Sequence, residues 1–128
     1  CMERLLKSSP VHIAFGFVMM GGWALFANRS HGLAGAWLPA LVQGILSGAL
    51  TGVLKKTLEA LDGRLTGVLA LAVPPAVTAG SILALLPLVH TAIGTPEVIA
   101  TIAVPWSVST LYAIVYNAGL VRARRSAA

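Results

Sequence analysis

Apolar positions fill this chain almost without interruption. Polar charge alone divides it. Charged residues leave four charge-free windows, 8–28, 30–54, 65–96 and 98–121, of 21, 25, 32 and 24 residues. A membrane-crossing helix needs about 20 mostly apolar residues. The windows therefore predict an all-α integral membrane four-helix bundle, a single transmembrane domain over 1–128, with spans at about 11–27, 33–54, 65–93 and 96–121. Short connections make successive helices antiparallel neighbours in an up-down-up-down order.

The helix ends carry recognisable signals. Ser9-Pro10 offers an N-cap followed by a first-turn proline. Asp62-Gly63 is expected to stop the second helix after an amphipathic stub beyond Lys55-Lys56. The third helix contains Pro74-Pro75 and Pro87, and a kink is expected at Pro74-Pro75, because proline removes a backbone bond and crowds the preceding turn. Thr95-Pro96-Glu97 reads as an N-cap, a first-turn proline and an acid at the positive end of the fourth helix.

Composition agrees with a membrane protein: 57% of residues are hydrophobic and 10% charged, against about 25% charged in soluble domains. Mean hydropathy is +0.86. A soluble enzyme domain is excluded on these grounds. The net charge of +5 is not a nucleic-acid signal, because the basic residues sit in twos and threes at helix ends. Arg4, Lys7, Lys55, Lys56, Arg64, Arg122, Arg124 and Arg125 share one side if the N-terminus is cytoplasmic, and only Arg29 falls opposite. That is a strong positive-inside bias. It predicts a bacterial-type inner (plasma) membrane protein with both termini cytoplasmic. No cleavable signal peptide is expected. The lone cysteine, Cys1, precedes what looks like a natural start at Met2-Glu3-Arg4 and is taken as an addition, not a lipidated first residue.

Small residues mark where helices approach. In the second helix Ala40, Gly44, Gly48 and Gly52 recur every four residues, forming one stripe. The third has a comparable row, Ala72, Ala76, Gly80 and Ala84. Such rows let backbones pack closely in lipid. The stripe serves either packing within the bundle or a homo-oligomer seam through the second helix.

Candidate chemistry is sparse. No ionisable residue lies mid-span, which disfavours ion-coupled pumps. Small multidrug exporters share the four-helix plan but depend on a membrane-embedded glutamate, absent here. The Arg/Asn/Phe-type motifs of small flippase-like proteins are also absent. No family is recognised. One polar cluster lies at the external rim. His31, His90 and Glu97, with Arg29 beside them, have the residue types for a catalytic acid/base pair or a transition-metal site. No cofactor is otherwise expected. Arg29 is alternatively a simple partner of Glu97. A second set lies within the spans: Gln43, Ser47 and Thr51 form a stripe on the second helix, facing Tyr112 and Asn117 on the fourth. These either tie the two helices by hydrogen bonds or line a binding path for a substrate.

The favoured reading is transport or translocation of a lipid-like or small amphiphilic molecule by an oligomer, with membrane lipids and further copies of the chain as partners. A membrane enzyme at the external rim is the alternative. An accessory subunit of a membrane complex is the third.

Overall fold

Four long helices make up most of the computed structural model, which describes residues 9–127. They are α1 (Ser9–Ala27), α2 (Gly32–Leu61), α3 (Gly67–Ala92) and α4 (Val98–Ala127). A 3-10 turn, Arg29–His31, joins the first two. All four are long and apolar enough to cross a membrane. Cys1, Arg4 and Lys7 lie outside the described residues. Gly32, Gly63, Gly67 and Gly94 take positive φ at the connections, where a side chain is disfavoured.

α1 and α2 pack most intimately, and their register is antiparallel. A Cβ at Gly21 would lie 3.0 Å from the Ala40 carbonyl oxygen, and one at Gly44 would lie 3.1 Å from the Phe17 carbonyl oxygen. Ile13 presses on Gly48, where a Cβ would meet Cγ2 at 3.2 Å. The Ala40–Gly44–Gly48 strip is therefore covered by α1 of the same chain. Gly52, the fourth member, has open space where a Cβ would stand.

α3 lies along α4. Its buried residues Thr78, Ile82, Leu86 and His90 recur every four positions. With Leu54, Leu58, Ile102 and Ala113, the Ile82 and Leu86 side chains form the apolar core. The Ala72–Ala76–Gly80–Ala84 row is exposed throughout. Each of its members is two residues from a buried position, about 200° around a 3.6-residue helix, so the row faces outward from the described helices.

Prolines lie inside α2, α3 and α4. Pro74 and Pro75 lack the N–H groups that would bond the carbonyls of Ala70 and Leu71, four residues back. Asn117 of α4 takes their place: its Nδ2 donates to Ala70 O at 2.9 Å and Leu71 O at 3.3 Å. Such re-satisfaction by a neighbouring helix is what makes proline tolerable where water is absent.

The two ends of the bundle differ in charge. Lys55, Lys56, Arg64, Arg122, Arg124 and Arg125 gather at the end where α2 and α4 finish and α3 begins. Arg124 bridges Asp62 there at 2.8 Å, and Arg125 Nη2 donates to Gly67 O at 3.4 Å. Arg29 lies at the other end.

Candidate functional site

At the Arg29 end the helices are joined by buried polar groups. α3 finishes in two linked backbone bonds, Thr95 N to His90 O at 2.9 Å and Gly94 N to Thr91 O at 3.2 Å, around the positive φ of Gly94. This Schellman arrangement folds Thr95 back over the last turn, so that its hydroxyl lies 2.8 Å from His90 Nδ1. Thr95 therefore does not cap α4, which begins at Val98. His90 Nε2 reaches Gln43 Oε1 of α2 at 2.7 Å, and Gln43 Nε2 donates to Ser47 Oγ at 2.7 Å. Gln43 Oε1 can only accept, so His90 Nε2 donates to it, while Nδ1 shares its bond with the Thr95 hydroxyl.

Beside it, Asn28 holds the α1–α2 turn against α4. Its Nδ2 donates to Ala24 O at 2.8 Å and Thr101 Oγ1 at 2.7 Å, and its Oδ1 accepts from Glu97 N at 3.0 Å. Trp23 Nε1 adds a bond to Ala100 O at 2.9 Å.

The four rim residues of the sequence reading are divided by this arrangement. His31 and Glu97 meet, Nε2 to Oε1, at 3.0 Å on the surface. His90 is fully buried with both ring nitrogens bonded, so it does not join them. Arg29 does not pair with Glu97 either: its Nη1 donates to Phe26 O at 2.9 Å, and its guanidinium stacks 3.8 Å from the Phe26 ring centroid. Among the described residues no three His, Cys, Asp or Glu side chains are gathered as a metal-holding group.

The second candidate set also separates. Gln43 bonds α3, not α4, and Asn117 bonds the freed carbonyls of α3. Ser47, Thr51 and Tyr112 instead line a cavity of about 500 Å³, within the range of roughly 300–1,000 Å³ common for small-ligand sites. α2 forms its floor with Ser47, Leu50, Thr51 and Leu54. Ile13, Phe15, Met19 and Met20 of α1 form one wall; Pro105, Val108, Ser109 and Tyr112 of α4 form the other. His12, Lys55 and Tyr116 close the basic end. The lips are apolar and open outward: Phe15 is 65% exposed and Val108 49%. The expected groove between α2 and α4 thus has α1 as its third side.

Sequence reasoning assigned no binding role to Met19, Met20 or Lys55. From sequence, Met19 and Met20 read as core filling or lipid-facing surface, and Lys55 was absorbed by the charge asymmetry. The Gly52 gap and the neighbouring hydroxyls were the available signal. Chemically, the cavity offers flexible apolar walls, a few hydroxyls at mid-depth and a cation at one end, and so suits an amphiphile. Comparison with protein-family models, with curated proteins and with solved structures gives no match.

Proposed function

We propose that the chain transports or translocates a lipid-like or small amphiphilic molecule through the α1–α2–α4 cavity. The observation that carries this reading is the cavity itself: apolar over most of its length, polar at one end, and open sideways between α1 and α4. On this reading the protein sits in a bacterial-type inner membrane with the Lys55/Arg124 end cytoplasmic, supported by the positive-inside bias. It works as an oligomer. The oligomer's contact is not the Gly44–Gly48 strip, which α1 already covers.

Vesicles holding the full chain and a trace of fluorescent phospholipid test the activity. An externally added quencher should reach the inner-leaflet probe faster than in protein-free vesicles, and Gly52→Leu, which fills the cavity, should slow it. Equal rates with and without protein overturn translocation. Sidedness is tested by single cysteines at Ser30 and Leu61 in a Cys1→Ser background. They should label from opposite faces of intact membranes.

A membrane enzyme at the Arg29 end has one observation in its favour. The His31–Glu97 pair is well placed for acid/base work, with side chains 41% and 48% exposed. Under that reading His31→Asn abolishes activity and Gly52→Leu does not.

A further inference from the structure

We infer that the occupant of the cavity is a membrane lipid with an anionic headgroup, its phosphate held by Lys55 and an acyl chain laid between α1 and α4. The inference rests on the amphiphile reading above and adds the sign of the headgroup and the residue that reads it.

Polarity runs in one direction along the cavity. Met19, Met20 and Pro105 lie toward the Arg29 end; Lys55, Tyr112 and Tyr116 lie toward the other. Lys55 is the basic side chain on α2 that lines the wall. Its Nζ is only loosely engaged, 4.0 Å from Glu59 Oε1. That same oxygen accepts the Tyr116 hydroxyl at 2.6 Å, so the carboxylate is drawn toward α4. An ammonium has three donors, and one contact at the limit of pairing leaves it able to meet a phosphate. The lysine stem can lie along the apolar wall while its head stays at the interface, where a headgroup also resides.

Two features favour a bilayer lipid over an amphiphile arriving from water. The mouth is bordered by exposed apolar side chains, Phe15 and Val108, and it lies on the flank of candidate spans. A lipid enters there without leaving the apolar phase. The cation lies at the end rich in basic residues, where anionic lipids concentrate.

Photo-cross-linking of the full chain in nanodiscs tests this. The probes are phosphatidylglycerol and phosphatidylcholine, each with a diazirine in the acyl chain, and labelled peptides are mapped by mass spectrometry. Phosphatidylglycerol should label 13–20 and 105–116 about fivefold more than phosphatidylcholine, the preference expected of one basic residue near the surface. Lys55→Gln should remove that preference, and Lys55→Arg should keep it. Thermal unfolding checks that each variant folds; Lys55 is half exposed and its ion pair with Glu59 is long, so both should. Equal labelling by the two lipids, with Gly52→Leu lowering both, overturns the anionic headgroup and leaves the amphiphile reading standing. A preference that survives Lys55→Gln overturns the role of Lys55. If Gly52→Leu folds and lowers neither label, the cavity is not the lipid site and both readings fall.

Discussion

At the Arg29 end, buried polar side chains on different helices are bonded to one another. Toward the basic end, α1, α2 and α4 part around a cavity, and Ser47 and Thr51 on its floor bond within their own helix. Gln43, His90 and Thr95 form one continuous chain of bonds, and Asn28 uses both ends of its amide. By contrast, Thr51 Oγ1 donates to Ser47 O in its own helix at 2.7 Å. The buried Thr110 hydroxyl, also in that half of α4, has no hydrogen-bond partner among the described residues. Polar groups in an apolar bundle thus do two jobs. Matched across helices, they fix a geometry. Satisfied locally, they leave a surface polar enough to receive a ligand and weakly tied enough to separate.

The sharpest way to break this comparison is His90→Ala. It empties a buried volume and strands Gln43 and Thr95, so it should cost about 3 kcal/mol or more, read as loss of unfolding midpoint in mild detergent. A Gln43→Leu/His90→Leu cycle should give a coupling of roughly 0.5–3 kcal/mol. Additive effects would mean that the two residues do not act together, and the polar end would be no more tightly joined than the cavity half.

Gly44→Leu comes next. The atom nearest its new Cβ is a backbone oxygen, which cannot swing aside, so the loss should lie toward the upper end of about 1–3 kcal/mol. It should appear as lower stability of the single chain, with assembly on a sizing column unchanged. Loss of assembly at unchanged stability would move the stripe from α1 to a second copy.

Asn117→Leu should cost about 1–2 kcal/mol, because the carbonyls freed by Pro74 and Pro75 lose their shared donor. The test against the comparison is a second background. If restoring both N–H groups with Pro74→Ala/Pro75→Ala makes Asn117→Leu nearly neutral, Asn117 exists to serve the prolines. If the cost persists, Asn117 has a role that the bonds to Ala70 and Leu71 do not explain.

The spans were legible because charge, the costliest thing to bury in lipid, falls only at their ends. Which face of each helix turns inward was not. A helix apolar all round carries no periodic signal of its buried side, so the α3 alanine row and the α2 glycine strip look alike in sequence, yet one is exposed and the other is packed. His90 illustrates the same limit. Its position near the end of α3 suggested the rim, but its place on the 78–82–86–90 face sends it to Gln43. Thr95 looked like a cap because nothing local reveals that Gly94 will fold it back onto His90. Asn117 could have been read: two adjacent prolines free two carbonyls, and a single amide at matching depth on the next helix is a natural donor.

The smallest expected effect concerns Glu97, which belongs to both the joined end and the exposed surface. Its backbone N–H is held by Asn28 at 3.0 Å, while its carboxylate pairs with His31 outside. Glu97→Gln leaves the backbone bond intact and removes only the charge. Exposed ion pairs contribute about 0–1 kcal/mol, so stability should change by less than about 1 kcal/mol. Asn28→Ala, which removes the bonds to Thr101 and to Glu97 N, should cost several times more. The ratio of the two losses separates the rim from the network beneath it. If Glu97→Gln cost as much as Asn28→Ala, the carboxylate would be part of what joins the helices, and the boundary between the bonded interior and an accessible His31–Glu97 surface would lie elsewhere. A near-neutral Glu97→Gln that nevertheless lost activity would favour the enzyme reading of that surface over a purely structural one.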